Sequence, residues 1–410
     1  MTSANPETKN ISAATFLLSL MMILLGFFNA RLFIVLYLPI LFLMKRINKN
    51  RTCDNTFNIV DAGILIIAVY EFLSVFIPGH LDVNNQIKAA QGILCVSVLW
   101  FYLRLFVNQD RYLRTLSVIF SILAGILSVI TIVFYVKHKL FVSQMGTDDM
   151  ISFRAFYHPL GCISNDWCAI LLCLLPMPVV GYIGSETTKQ KLIHAFSYYA
   201  VILALLVSYS RGAYVVLLFF IVSLCLLSYI LKCNYWKKVC LVTLVVALLA
   251  SVTAICADRK SFVLTCQMSK TTVQKQSIEG RMTKWDESVD LFRLSPAFGF
   301  GSGNYGVSYD FFIKGKRNTI TKRATNTYLQ MLVEKGYVGS AVIVLSLLVI
   351  LYGCVKAVLI DKRKLPLLLS LLALSLREVV FSSFYIDRRL PMLCVLILFL
   401  IIQSPVKNEE

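Results

Sequence analysis

The feature that most restricts the fold of this chain is a series of apolar runs, each about as long as a membrane-spanning helix. Such a helix needs about 20 consecutive apolar residues, whereas a strand of a transmembrane barrel needs about 10 residues of alternating polarity. The runs lie at residues 12–28, 31–44, 59–77, 87–107, 115–136, 161–183, 192–208, 213–231, 239–257, 336–356, 365–380 and 390–403. This pattern predicts an all-α polytopic membrane protein with about 12 transmembrane helices.

The composition agrees with this prediction and disfavours a nucleic-acid-binding protein. Hydrophobic residues make up 58% of the 410 residues and charged residues 15%, whereas a soluble domain carries roughly 25% charged residues. The net charge of +18 falls largely in short loops between the runs, where Lys and Arg set the orientation of a membrane protein. The charge therefore indicates a membrane topology, and we expect no nucleic-acid partner.

The basic loops fall on one side of the predicted bundle. The cluster at 45–51 and alternate later loops carry Lys and Arg, including Lys362, Arg363 and Lys364, and such loops stay in the cytoplasm. We expect a multi-pass protein of the cell inner membrane with both termini cytoplasmic. Residues 1–257 would form transmembrane helices one to nine, residues 258–335 a large extracytoplasmic loop, and residues 336–410 the last three helices and a short tail.

The long polar segment 258–335 contains its own structural signals. Met282, Trp285, Val289 and Phe292 recur at helical spacing, which predicts a helix from about residue 280 to 294. Ser295-Pro296 should end that helix. The glycine-rich stretch 299–304 predicts a turn. No strand precedes it as a nucleotide-binding loop would require, so its glycines serve either backbone flexibility or close packing. Since binding and catalytic residues concentrate in loops held by a rigid scaffold, we expect the functional site in this segment.

Two arginines are the first candidates for binding an anion. Arg211 lies in Ser210-Arg211-Gly212, between two uncharged apolar runs. It is either an interfacial arginine whose charge reaches water or a clamp that grips phosphate. Arg281 starts the predicted loop helix, and taken alone its position favours a solvated surface residue. Arg154 and His158, in an outward loop, either line the same cleft or lie on the loop surface.

The charged residues near the last predicted loop offer carboxylate candidates. Arg377 and Glu378 lie in or beside an apolar run, so the pair is either a buried ion pair or contains a catalytic carboxylate, and Asp387 lies nearby. Only four histidines are present, and none of the cysteines forms a metal-binding CxxC pair, so we expect no metal site. Cys256 and Cys266 flank the start of the long segment, and a disulfide between them is left open.

Several motifs together resemble a known superfamily. Ser210-Arg211-Gly212 joins two runs, three residues separate Gly280-Arg281 from Trp285, and Ser295-Pro296 precedes Gly299 and Gly301. Asn326 is followed, after nine residues, by Gly336-Tyr337-Val338-Gly339. Their order and spacing resemble the O-antigen ligase and O-antigen polymerase superfamily of membrane glycosyltransferases.

The resemblance implies glycosyl transfer on the outer face of the cytoplasmic membrane, with an undecaprenyl-pyrophosphate-linked oligosaccharide as donor. It implies that Arg211 and Arg281 bind the pyrophosphate and that no metal or other cofactor is needed, because arginine charge stabilises the leaving group. Membrane lipid, a chain-length regulator and a flippase are the partners that such a role implies.

One position departs from the pattern. The ligases of this superfamily have His followed by Asn where this chain has Thr325-Asn326, and Thr cannot accept a proton at neutral pH as that His would. Either Glu334, Glu378, Asp387 or His158 then serves as the base, or stabilisation of the leaving group suffices. The residues expected in the substrate cleft are Arg154, His158, Thr325, Asn326 and Arg388. The departure favours a polysaccharide polymerase of O-antigen, capsule or exopolysaccharide over an O-antigen ligase, and the alternative of another class is a lipid-linked oligosaccharide flippase.

Overall fold

The computed structural model describes residues 57–77, 81–106, 110–146, 157–162, 164–230, 234–266, 272–314, 323–385 and 389–402, together with Met21 and Pro39. Within these ranges all regular secondary structure is helical. The α-helices of the described residues are α1 (Ile59–Ser74), α2 (Val83–Phe106), α3 (Asp110–Gln144), α4 (Ser164–Leu174), α5 (Pro176–Ile183), α6 (Thr188–Val207), α7 (Arg211–Ile230), α8 (Asn234–Ala257), α9 (Arg259–Cys266), α10 (Thr272–Leu294), α11 (Tyr305–Tyr309), α12 (Thr327–Ile360), α13 (Leu365–Arg377) and α14 (Arg389–Ile402).

The part of the chain that the structure describes contains seven helical segments long and apolar enough to cross a membrane. They are Val83–Arg104, Thr115–Gln144, Ser164–Ile183, Thr188–Val207, Arg211–Ile230, Tyr235–Ala257 and Thr327–Ile360. Three further predicted runs form the shorter helices α1, α13 and α14, of 16, 13 and 14 residues. The runs 12–28 and 31–44 fall outside the described residues, except Met21 and Pro39. The all-helical membrane fold is confirmed, whereas the number twelve stays a prediction.

The helices form one bundle with α4 at its centre. All residues of α4 except Asn165 are buried, and α4 packs against α6, α7, α13 and α14. Around it, α3 packs along α6, α6 along α8, α7 along α13, and α1 along α12. The outer faces of α7 and α8 keep large apolar side chains exposed, among them Leu218 and Leu248. Exposed apolar faces on apolar helices are what contact with lipid requires.

Capping residues and a proline in the sequence determine where several of these helices begin. Asn58 caps α1, because its side chain accepts hydrogen bonds from the backbone of Val60 and Asp61 at 2.9 Å, and the Asp61 carboxylate accepts one from the Asn58 backbone at 2.8 Å. Thr187 and Gln190 form the same reciprocal cap at the start of α6. Pro176 begins α5 soon after α4 ends at Leu174, as a proline at the first position of a helix allows.

One end of the bundle gathers the polar groups, and we call it the loop end. There α3, α6, α8 and α13 finish while α4, α7 and α12 begin. The Ser164 hydroxyl donates to the Ser208 carbonyl at 3.3 Å, and the Thr327 amide donates to the Glu378 carbonyl at 3.0 Å. The segment between α8 and α12 also lies at this end, because its residue Gly301 donates a backbone hydrogen bond to Glu334 at 2.8 Å.

The segment between α8 and α12 has a small core of its own. Its buried side chains are Leu291, Phe300, Tyr305, Tyr309, Ala324 and Val333. The Tyr305 hydroxyl lies 2.8 Å from Ser288 Oγ, and burial raises the pKa of Tyr305 to about 12. Helix α10 ends at Leu294, directly before Ser295-Pro296. The helix expected from residue 280 to 294 is therefore present, and it begins earlier, at Thr272.

The glycine turn, residues 295–304, docks onto a break in α12. Gly336 interrupts that helix with φ 63° and ψ −167°, a backbone region that glycine adopts without strain. The freed amide of Tyr337 donates to the Pro296 carbonyl at 2.7 Å, and that of Val338 donates to the Ala297 carbonyl at 3.1 Å. Of the two roles left open for the glycines of this turn, flexibility and close packing, the structure shows close packing. Helix α12 begins at Thr327 rather than at residue 336.

Gly336→Ala is expected to destabilise the protein by about 2 kcal/mol, because a side chain raises the energy of a left-handed backbone. The new Cβ would also meet the Ala297 carbonyl. The melting temperature in detergent should fall by roughly 4 °C. Gly92→Ala is the matched control, since Gly92 lies inside α2 and a Cβ added there would meet no atom within 4 Å. An equal fall in both variants would contradict the packing role assigned to Gly336.

Candidate functional site

The site is organised around the turn at residues 378–385, which follows α13 at the loop end. The Glu378 carboxylate accepts hydrogen bonds from the Thr327 hydroxyl at 2.5 Å and from the Ser383 amide at 2.9 Å. The Thr327 amide donates to the carbonyls of Glu378 and Phe381 at 3.0 and 2.9 Å. These bonds fasten the turn to the first residue of α12, so its shape is set by contacts between distant parts of the sequence.

Arg377 and Glu378 form a buried ion pair. Arg377 Nη1 donates to Glu378 Oε1 and to Ser383 Oγ, both at 2.9 Å, and Arg377 Nη2 donates to the Asn165 carbonyl. Each of the two charged residues is 1% exposed. Of the two interpretations that the sequence allows, this geometry is the buried ion pair, and the Glu378 carboxylate is occupied by donors on both oxygens.

A second carboxylate, Asp166, extends the same network, and it was not among the residues predicted from the sequence. Ser383 Oγ donates to Asp166 Oδ1 at 2.8 Å. Arg323 Nη1 lies 3.3 and 3.4 Å from the two oxygens of Asp166. Asp166 sits in the first turn of the apolar helix α4, and an acidic residue inside a predicted span is the signal that identifies such a position.

Phe381 brings the two arginine motifs together. The carbon at the centre of the Arg281 guanidinium lies 4.8 Å from the centre of the Phe381 ring, and that of Arg377 lies 4.2 Å from it. A Cβ on Gly212 would lie 2.5 Å from the ring carbon Cε2, so the Ser210-Arg211-Gly212 backbone also packs against this ring. Phe381 therefore contacts both motifs, although neither motif is near it in sequence.

Arg211 is the first residue of α7 and is half-buried. Its guanidinium makes no hydrogen bond or ion pair to any residue that the structure describes. The preceding Ser210 is fixed by a 3.0 Å hydrogen bond from its hydroxyl to Asn165 Oδ1. The start of a helix adds a partial positive charge to that of the arginine. This end of α7 is consequently suited to an anion.

The charges of the site are unevenly matched. Arg377 is paired with Glu378 and Arg323 with Asp166. Arg211 adds a positive charge with no acidic partner among the described residues. The guanidinium of Arg281 contacts the Phe381 ring and the Val380 carbonyl, which lies 3.4 Å from its Nη1. An anion with several oxygens is the kind of ligand that guanidinium groups bind best.

Glu334 lies in the docking region of the glycine turn. Its carboxylate accepts from the Gly303 amide and from Gln330 Nε2, each at 2.9 Å, and the residue is 1% exposed. The neighbouring Lys335 forms a buried ion pair with Glu71 and donates to Ser302 Oγ at 2.7 Å. These contacts assign Glu334 to holding the turn against α12.

Thr325 and Asn326 connect Arg323 to α12. Asn326 caps the helix, since its side chain accepts from the backbone of Tyr328 and Leu329 at 2.9 and 3.1 Å. Thr325 has φ 58°, which is rare for a β-branched residue and marks local strain. Its buried hydroxyl oxygen has no hydrogen-bond partner among the described residues.

The remaining predicted residues fall in less informative places. His158 is exposed and precedes a short 3₁₀ turn, Pro159–Gly161, without capping it. Arg154, Asp387 and Arg388 lie outside the described residues. Cys256 and Cys266 are both free thiols, so the disulfide left open by the sequence is absent. Across the described ranges, no group of three His, Cys, Asp or Glu side chains is placed to hold a metal.

The comparison with protein families finds a match in the middle of the chain. Residues 196–344 match a family model described as O-Antigen ligase, and the match covers less than half of the chain. It includes Arg211, Arg281 and Thr325, whereas Asp166 and the 378–385 turn lie outside it. The match confirms the resemblance to the O-antigen ligase and polymerase superfamily, whose members are membrane glycosyltransferase-type enzymes. No curated protein matches the chain.

Proposed function

We propose that the protein is a polysaccharide polymerase. It would transfer a growing glycan from undecaprenyl pyrophosphate to a new lipid-linked repeat unit at the outer face of the inner membrane. The observation that carries this proposal is that Arg281 and the Arg211 motif, far apart in sequence, both pack against Phe381 at the loop end. Two arginines gathered at the membrane edge suit a lipid-linked diphosphate.

The reaction needs this charge because the leaving group is a diphosphate. A hydroxyl oxygen of the acceptor attacks the anomeric carbon of the donor and forms the new glycosidic bond. The bond between that carbon and the phosphate oxygen breaks, and its electron pair stays on the diphosphate, which is released with its lipid. The acceptor hydroxyl loses a proton to a base or to water. Guanidinium groups stabilise the charge that develops on the leaving oxygen.

Thr325 favours a polymerase over a ligase. It occupies the position where the resemblance places a histidine base, and a threonine hydroxyl does not accept protons at neutral pH. Glu334 and Glu378 are each held by at least two hydrogen-bond donors, and we assign both to positioning. Leaving-group stabilisation by Arg211 and Arg281 then provides most of the acceleration, with no metal or other cofactor.

The membrane arrangement that we propose follows from the same site. The loop end, with the segment 258–335, would face the extracytoplasmic side, where lipid-linked units are joined. The opposite end would lie in the cytoplasm with both termini. A flippase would supply the lipid-linked units and a chain-length regulator would act on the product.

A purified-protein assay tests this proposal. The substrate is the single lipid-linked repeat unit that should accumulate in a strain lacking the gene. Protein in lipid nanodiscs should convert it into a ladder of glycans that differ by one repeat, with release of undecaprenyl pyrophosphate. Full-length glycan left on undecaprenyl in the deletion strain would identify a ligase instead. Movement of the lipid-linked unit across a vesicle membrane without a new glycosidic bond would identify a flippase.

A further inference from the structure

Helix α12 is longer than a bilayer requires, and its exposed apolar side chains indicate which part of it crosses the membrane. Its 34 residues extend for about 51 Å, whereas the hydrocarbon core of a bilayer is about 30 Å thick. After the break at Gly336, exposed apolar side chains recur every seven residues, which is close to two helical turns. They are Val338, Leu345, Tyr352 and Leu359. From Val338 to Leu359 the helix rises about 32 Å, which matches the thickness of the hydrocarbon core.

Both ends of this stripe carry residues that are typical of a membrane boundary. The basic stretch 362–364 follows Leu359 at one end, and Lys and Arg concentrate in the polar loops beside a span. At the other end the exposed Tyr337 precedes Val338, and tyrosine is enriched where the hydrocarbon core meets the headgroups. The break at Gly336 therefore lies at the surface of the hydrocarbon core, on the side of the loop end.

The glycine turn is held at the same depth as this boundary. The first two amides after the break donate to the carbonyls of Pro296 and Ala297, at 2.7 and 3.1 Å. Two exposed apolar side chains flank these carbonyls. Leu294, the last residue of α10, is 59% exposed and Phe298 is 47% exposed. Together with the two residues of α12 that follow the break, they form what we call the junction surface: Leu294, Phe298, Tyr337 and Val338.

The backbone of the glycine turn is bonded in a way that permits contact with lipid. Irregular backbone at membrane depth is tolerated only where the protein itself pairs its polar groups. The amides of Gly299, Phe300 and Gly301 donate to backbone carbonyls at 3.1, 3.0 and 2.8 Å. The carbonyls of Pro296 and Ala297 accept from α12. These groups are therefore satisfied without water.

We propose that the junction surface contacts the acyl chains of the membrane leaflet at the loop end, so that the glycine turn and the last turn of α10 rest in the lipid boundary. Moving apolar side chains out of water is favourable, and this surface continues the lipid-facing stripe of α12. The inference goes beyond the proposed function and does not depend on it. It assigns a lipid contact to part of the segment 258–335, which the sequence alone presents as a loop outside the membrane.

The test replaces Phe298 by an environment-sensitive fluorescent amino acid through amber suppression, in full-length protein reconstituted in lipid nanodiscs. Because the Phe298 side chain is exposed, the fold should persist, and the melting temperature checks this. Lipids brominated near the headgroup end of their acyl chains should quench about half of the emission, since acyl chains form about half of the surroundings of a residue at the boundary. Lipids brominated near the methyl end should quench it less, because the boundary is far from the bilayer centre.

Two further positions calibrate the measurement. Leu348 is exposed and lies about 15 Å along α12 from Val338, so the same amino acid there should be quenched more by the deep bromines. Lys189 is exposed in the polar first turn of α6, at the opposite end of the bundle, and neither lipid should quench a fluorophore at that position.

Two outcomes contradict the lipid contact. Quenching at position 298 as weak as that at position 189 would overturn the inference, because the junction surface would then face water. Blue-shifted emission at position 298 without quenching would also overturn it, because a second copy of this chain or another protein would then cover the surface.

Discussion

Arg211→Ala and Arg281→Ala are each expected to lower the rate of glycosyl transfer by about 100- to 1,000-fold, the cost of removing one donor to a developing negative charge. Arg211 carries a charge without an acidic partner among the described residues, and Arg281 lies against an aromatic ring and a carbonyl. The measurement is the rate of ladder formation by purified protein, supported by polymer length in cells.

Lysine substitutions refine this prediction. Arg211→Lys and Arg281→Lys should recover only part of the rate, because an ammonium group keeps the charge but does not bind two phosphate oxygens in a fixed plane. Arg293→Ala is the control on the same helix as Arg281. Arg293 pairs with Asp290 on the surface, with 73% of its side chain exposed, and its removal should leave the rate unchanged. Near-wild-type polymer from Arg211→Ala and Arg281→Ala would rule out the clamp.

The helices and several local features could be predicted from the sequence because each depends on neighbouring residues. Apolar runs specify helices in lipid. Ser295-Pro296 ends α10 because of proline chemistry, and the glycine turn packs closely because Gly299 and Gly336 have positive φ. A buried ion pair between Arg377 and Glu378 is one of the two interpretations that the sequence offers, because two opposite charges stand side by side near an apolar run.

The shape of the site depends instead on contacts that spacing along the chain does not reveal. Arg323 reaches Asp166 across 157 residues, and Arg281 reaches Val380 across 99. In the sequence, Phe381 resembles any aromatic residue in an apolar region, and only the packing of α7, α10 and α13 shows that it contacts both arginine motifs. Glu334 and Glu378 resemble free carboxylates for the same reason, since Glu334 accepts from the Gly303 amide and Glu378 from the Thr327 hydroxyl, each distant in the sequence.

Glu378→Ala should be among the most destabilising single substitutions in the protein. It leaves the guanidinium of Arg377 buried without its partner, and breaking a buried pair in this way costs about 3–5 kcal/mol. It also removes the acceptor for Thr327 and for the Ser383 amide. The measurement is thermal unfolding in detergent together with the amount of monodisperse protein. Arg363→Ala, which breaks the partly exposed pair with Asp361, should cost less than about 1 kcal/mol.

Glu378→Gln distinguishes a positioning carboxylate from a catalytic base. The amide keeps the shape and one acceptor but loses the charge, so a positioning role predicts lower stability and lower activity together. A protein as stable as wild type but inactive would show that Glu378 is the base after all. Removing both charges in Arg377→Gln/Glu378→Gln should restore part of the stability lost in Glu378→Gln, because no unpaired charge then remains buried. Activity should stay low in the double variant, since Phe381 and Arg281 lose the support of the Arg377 guanidinium.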